Sequence, residues 1–255
     1  MLIDTHCHIH EADYPLDVAY TLRRAQEAGV GQLICVGTSL ESSRLALAFA
    51  DDYPNSYASI GVHPHDTSGG WEGLDTLAAG VKAATDRQTL VAVGEIGLDY
   101  FYTHSLRQVQ IEALQAQMQL ARDLDLPIIF HVRDAFDDFW PIFDTFAGIR
   151  GVLHSFTDTQ ANMEAALGRG LSIGVNGIST FTRDDAQKAM FASIPLKKLL
   201  LETDAPFLTP HPLRGKVNEP AFVEIIAKHH ALIRGVDVTQ VADATTANAR
   251  ALFAL

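Results

Sequence analysis

Six residues combine side-chain types and settings suited to holding divalent metal ions: His6, His8, Glu95, His131, His154 and Asp204. Imidazole nitrogens and carboxylate oxygens are the ordinary protein donors to such cations. In Asp4-Thr5-His6-Cys7-His8, strand alternation points Asp4, His6 and His8 to one face and Thr5 and Cys7 to the other, pairing two imidazoles for one ion. Glu95 stands in Val93-Gly94-Glu95-Ile96-Gly97-Leu98-Asp99. An unpaired charge in that apolar run is costly, so Glu95 calls for a cation, with a buried Arg or Lys as the alternative partner. The runs Ile128-Ile129-Phe130-His131-Val132-Arg133 and Val152-Leu153-His154-Ser155-Phe156 both close on a histidine. In Leu199-Leu200-Leu201-Glu202-Thr203-Asp204-Ala205-Pro206, Glu202 and Asp204 share a face, so one carboxylate can bind metal while the other supports it.

The donor set has no thiolate. It suits zinc, manganese, nickel or iron and accommodates magnesium at the more oxygen-rich position, which leaves the metal's identity open. Six ligands exceed what one catalytic ion takes while keeping an open position. Two ions roughly 3.5–4 Å apart, bridged by a carboxylate, are the economical reading. Such a pair lowers the pKa of bound water from about 15.7 toward about 7 and makes it a nucleophile.

Several short apolar runs must converge to bring these residues together. Runs rich in Ile, Val and Leu alternate with stretches of helical periodicity, as repeated strand and helix units require. Strands are expected near Leu2–His6, Gln32–Val36, Tyr57–Gly61, Leu90–Glu95, Pro127–His131, Gly151–His154, Leu171–Val175 and Leu199–Glu202. Helices are expected near 16–28, 39–51, 71–85, 105–124, 134–146, 159–168, 183–192, 219–234 and 238–252. Eight units in 255 residues predict an α/β chain folded as a single (β/α)8 TIM barrel over residues 1–255, with its site at the C-terminal ends of the strands. No Pro/Ser linker or charge block divides the chain, and the stretch Pro206–Pro220 reads as a loop over the barrel mouth. Trp71 and Trp140 fall in helical segments and are assigned to packing.

The net charge of −12 argues against a broad electrostatic grip on duplex nucleic acid, which depends on neutralising many phosphates. Any nucleic-acid substrate is expected to be held locally, at DNA ends or as short single strands. No apolar run approaches the roughly 20 residues of a membrane span, and Met1-Leu2-Ile3-Asp4 lacks the pattern of a signal peptide. A cytoplasmic protein is expected, with no membrane contact and no obligate protein partner. Cys7 and Cys35 lie in apolar segments and read as reduced core residues.

The chain resembles the TatD family of metal-dependent DNases, in the amidohydrolase superfamily. The resemblance rests on Asp4-Thr5-His6-Cys7-His8, Gly61-Val62-His63-Pro64-His65, Gly94-Glu95-Ile96-Gly97-Leu98-Asp99-Tyr100 and His131-Val132-Arg133. It continues through His154-Ser155-Phe156, Glu202-Thr203-Asp204-Ala205-Pro206, Arg214-Gly215-Lys216-Val217-Asn218-Glu219-Pro220 and Asn248. It implies one ion on His6, His8, Glu95 and Asp204, a second on Glu95, His131 and His154, and Glu95 as the bridge. It also implies phosphodiester hydrolysis as a 3′–5′ exonuclease on DNA, with magnesium or manganese, Asp204 taking the proton from water.

Around that centre, His63 and His65 are candidates for phosphate or sugar contact, His63 the better one, with a structural rim role as the alternative. Arg133, Arg214 and Lys216 are candidate phosphate clamps or ordinary solvated charges. Asp99 is expected in the loop after Glu95, orienting a ligand histidine through its second nitrogen. Tyr100, Phe101 and Tyr102 either stack bases or pack. Thr157-Asp158 departs from the family's small residue and Gly, adding an acid beside an anion site, which is expected to shift substrate preference. Two rival functions stand beside the nuclease. One is hydrolysis of a carboxylic ester or amide, such as deacylation of D-aminoacyl-tRNA. The other is a metal-binding protein without turnover, against which all six ligands are present.

Overall fold

The apolar runs form strands in the computed structural model, which describes residues 1–84 and 89–255. Among the described residues the strands are β1 (Leu2–Cys7), β2 (Val30–Val36), β3 (Ser56–Ile60), β4 (Leu90–Asp99), β5 (Ile128–Arg133), β6 (Gly151–Leu153), β7 (Ser172–Val175) and β8 (Leu199–Leu201). They make one eight-stranded sheet in chain order, parallel at β3–β4, β4–β5, β5–β6 and β7–β8. The helices are α1 (Val18–Glu27), α2 (Leu40–Asp52), α3 (Leu74–Ala84), α4 (Arg107–Leu124), α5 (Phe136–Phe143), α6 (Gln160–Gly168), α7 (Ile178–Phe181), α8 (Asp185–Ser193), α9 (Val223–Arg234) and α10 (Val238–Phe253). This alternation is the (β/α)8 TIM-barrel fold. No helix among the described residues is long and apolar enough to cross a membrane.

Residue contacts divide the chain into two compact units, Met1–Ile34 with His154–Leu255, and Cys35–Leu153. In the first, β1 lies beside the end of β8. The His8 amide donates to Ala205 O at 2.7 Å and the Asp204 amide to His6 O at 2.8 Å. Buried Asp4 ties the same two segments, accepting from the Thr203 amide at 2.9 Å and from its hydroxyl at 2.6 Å. The α10 helix, which packs on β1 and β8, starts at a capping box in which Asp237 and Gln240 satisfy each other's backbone N–H groups. α9 ends at Gly235, whose φ of 64° is a left-handed conformation that glycine adopts without strain.

In the second unit, β4 runs further than its apolar pattern indicates. Pairing of Ile96, Gly97, Leu98 and Asp99 with Phe130, His131, Val132 and Arg133 carries the strand past Glu95 to Asp99, so Asp99 is a strand residue rather than a loop residue. Gly97 permits this close approach, because a Cβ there would overlap the His131 carbonyl. Behind β5, Phe130 and Phe139 meet edge to face with centroids 5.1 Å apart, and both are fully buried. Each such ring contributes about 1.5–3 kcal/mol of burial.

Most other differences lie at element ends. His154 and Glu202 stand just past β6 and β8, where the chain leaves the ladder. Trp71 precedes α3, which begins at Leu74, and so is not helical; Trp140 is in α5 among Phe136, Phe139 and Phe143. The expected helix end at 85 lies outside the described residues. Cys7 and Cys35 are buried and not joined in a disulfide.

Candidate metal centre

His6 in β1 and His8, one residue past the strand's end, stand side by side, their Nε2 atoms 3.1 Å apart. Asp204, just beyond β8, places Oδ1 at 3.5 Å from His6 Nε2 and 3.3 Å from His8 Nε2. A point equidistant from three donors so spaced lies roughly 1.9 Å from each, close to the ~2.0–2.2 Å of zinc–nitrogen and zinc–oxygen bonds. The donor atoms fit a divalent ion. Burial by itself would raise the Asp204 carboxyl, but the His8 hydrogen bond and the charges of His6, His154 and His8 outweigh it and hold the group below the usual carboxylate range. Asp204 is therefore ionised, as a metal ligand must be.

The ring of His154 stacks on His6, with centroids 3.9 Å apart and planes 17° from parallel. Its Nδ1 faces Glu202 Oε1 at 3.4 Å, and the same oxygen accepts from the Ser155 amide at 2.5 Å. Glu202 thereby supports the histidine while Asp204 faces His6 and His8.

In the other unit Glu95 is the hub. Its Oε1 lies 2.8 Å from His131 Nδ1 and 3.5 Å from His63 Nε2, and these three residues offer donor atoms within 4.8 Å of one another. Behind them stands Asp99, with Oδ2 2.9 Å from His131 Nε2 and 3.0 Å from His65 Nε2. Burial would raise this carboxyl too, but the His131 hydrogen bond and charge, with the Tyr102 amide and His65, hold it well below its ordinary range. A carboxylate on the far nitrogen of a ligand histidine fixes its tautomer and orientation.

The basic candidates are placed differently. Arg133 is exposed, with its guanidinium 3.8 Å from the Phe101 ring centroid. Arg214 donates to Thr209 O at 2.9 Å and lies 3.9 Å from the Phe181 ring centroid, while Lys216 is exposed on the same loop. Asp158 turns toward α6, accepting from the Thr159 amide and Asn162 Nδ2, both at 2.7 Å.

Two positioning residues escaped the sequence reading, Gln110 and Gln117 of α4. Gln110 accepts from the Asp99 amide at 2.9 Å and donates to Asp99 O at 3.1 Å. Gln117 does the same for Val62, at 2.7 and 3.2 Å, and so holds the chain next to His63. Their signal was the seven-residue spacing, which puts two glutamines on one face of a helix together with Ala113, Leu114, Met118 and Ala121.

Comparisons with known proteins find relatives along nearly the whole chain. Residues 3–254 match the family described as TatD related DNase. The chain is 34% identical over 255 residues to an uncharacterized metal-dependent hydrolase, YabD, of Bacillus subtilis, covering 99% of each chain. It is 37% identical over 261 residues to the 3′-5′ ssDNA/RNA exonuclease TatD of Salmonella typhimurium, covering 99% of this chain and 98% of that one. The crystal structure of YjjV, a TatD homolog from Escherichia coli, superposes with a TM-score of 0.91 at 32% identity, covering 100% of this chain and 98% of the other. A match along nearly the whole sequence, on a fold that ends its strands in imidazoles and carboxylates, means that the protein belongs to the TatD related DNase family.

Proposed function

We propose that the protein is a divalent-metal-dependent hydrolase of phosphodiester bonds that removes nucleotides from the 3′ end of single-stranded DNA, residues 1–255 acting as one cytoplasmic hydrolase domain. The observation that carries this reading is the convergence of His6 Nε2, His8 Nε2 and Asp204 Oδ1 on one point in a member of a DNase family. In this reading two ions, magnesium, manganese or zinc, are held by His6, His8, Glu95, His131, His154 and Asp204, with Glu95 as the shared ligand. Bound divalent ions supply the charge that acidifies water and neutralises the phosphate oxygens.

The chain's own residues do the rest. Asp204, ionised at neutral pH, takes up the proton that water loses as it attacks phosphorus. Breaking the P–O3′ bond, with the proton held by Asp204 passing on to O3′, leaves a nucleoside 5′-monophosphate and a new 3′-hydroxyl on the shortened strand. Asp99 keeps the His131 ring in place throughout, and Glu202 does so for His154. In this reading His63, whose Nε2 lies 3.5 Å from Glu95 Oε1, contacts the phosphate, and Arg133, Arg214 and Lys216 act as phosphate clamps.

The test is a turnover panel on metal-stripped protein reloaded with Mg²⁺, Mn²⁺ or Zn²⁺, offered single-stranded DNA, D-aminoacyl-tRNA and a simple phosphodiester. Mononucleotide release from DNA is the expected result. Turnover of the aminoacyl ester alone would replace this reading with the esterase one.

A further inference from the structure

The end of β4 joins the candidate metal centre to an aromatic surface. Asp99, its last residue, uses both carboxylate oxygens. Oδ2 faces His131 and His65, while Oδ1 accepts from the Phe101 amide at 3.0 Å and the Tyr102 amide at 3.2 Å. One side chain therefore fixes both a candidate ligand ring and the backbone of two aromatic residues.

Those aromatics are left in solvent. Phe101 is 53% exposed and Tyr102 44%, in contrast to the fully buried Phe130 and Phe139 of the same unit. Their rings meet nearly at right angles, 4.7 Å apart. Arg133, the β5 partner of Asp99, sets its guanidinium 3.8 Å from the Phe101 centroid and 5.2 Å from that of Tyr102. His65 backs Tyr102 at 5.3 Å. Tyr100 is committed elsewhere, its hydroxyl donating to Asp138 at 2.8 Å under the Arg107 guanidinium.

We propose that Phe101, Tyr102 and Arg133 form a stacking subsite for an unpaired nucleobase of a single-stranded nucleic acid, a proposal that rests on the nuclease reading and deepens it. Every base offers a π face, so aromatic rings and a guanidinium plane hold it without regard to sequence. Bases inside a duplex have both faces covered, so the subsite selects strand ends that are unpaired. Arg133 also places positive charge at this spot, where a chain of net charge −12 needs it for a polyanion.

The test measures binding of a 5′-fluorescent, phosphorothioate-linked thymidine octamer to the metal-loaded protein, against the same strand with abasic 3′-terminal positions. The parent is expected to bind the base-bearing strand about tenfold tighter, within the range that one stacked base gives. The Phe101→Leu/Tyr102→Leu variant should bring that ratio close to one, whereas Phe101→Tyr/Tyr102→Phe, which keeps two rings, should retain it. A parental ratio near one overturns the proposal whether or not the leucine variant folds, and so does a folded leucine variant with the parental ratio. Binding of the resistant strand needs no turnover, so the two readings fail separately. Cleavage of natural DNA without base discrimination removes the subsite alone, and discrimination without cleavage removes the nuclease reading alone.

Discussion

At the scale of the residue, carboxylates divide into those that face the proposed ions and those that hold the histidines. Asp204 belongs to the first group, beside His6 and His8, and Asp99 and Glu202 to the second. The two groups should respond differently to substitution. Replacing His6 by Ala removes a donor from one ion site, and metal analysis of the purified variant is expected to find one tightly held ion per chain instead of two. Asp99→Asn leaves the donors but takes the charge from behind His131. Titration calorimetry with Mn²⁺ should show affinity weakened about 10–100-fold, the usual cost of losing such a partner. All six proposed donors stand out in the sequence, because a histidine or carboxylate closing an apolar run is an unusual placement, and three groups of potential donors gather around them, His63 joining one. The contribution of His63 was less legible: it follows β3 in a Gly-Val-His-Pro-His turn, and its approach to Glu95 depends on a chain path that local pattern does not encode.

At the scale of the element, α4 holds the ends of neighbouring segments through amide side chains. Gln117→Leu would leave the Val62 N–H and C=O without their side-chain partner, which is expected to cost about 1–3 kcal/mol in urea unfolding. Glutamine usually marks a solvated helix face, so the seven-residue spacing of Gln110 and Gln117 on the apolar face was the one sign of this role, and their backbone partners emerged only with the seated helix. Strand ends were misjudged for a related reason. β4 extends to Asp99 because β5 offers it partners, and pairing between strands is not written in either strand alone.

Helix α9 carries a second consequence, for stability. His230 is fully buried, with Nε2 3.1 Å from Ser179 Oγ and Nδ1 2.7 Å from Arg234 Nη1. Burial, then the charges of Arg234 and His229, push its pKa well below the ordinary histidine range. The unfolded chain takes up this proton near pH 6.5 and the folded one refuses it. The stability is therefore fully present above about pH 6.5 and falls as the pH drops below it, by up to about 1.4 kcal/mol per pH unit for this group. Thermal melts at pH 7.5 and 5.5 should show a smaller acid-induced drop for His230→Gln than for the parent.

At the scale of the molecule, an acidic (β/α)8 chain must handle a polyanion through few contacts. Salt dependence reads this out. For single strands the slope of log K against log salt is about −0.7 per phosphate neutralised, so engaging about three phosphates or fewer predicts a slope no steeper than about −2. A steeper slope measured by anisotropy would indicate a long footprint. Strand count and order were legible because eight apolar runs recur with helical stretches between them. The central claim is that the clustered imidazoles and carboxylates catalyse hydrolysis at a DNA 3′ end. It is tested most directly by following a 3′-labelled single strand with metal-reloaded parent and Asp204→Asn protein. The account predicts rapid release of labelled mononucleotide by the parent and at least a ~100-fold slower release by a folded Asp204→Asn variant. Equal rates for the two proteins, or no release by the parent with any of Mg²⁺, Mn²⁺ and Zn²⁺, would contradict it.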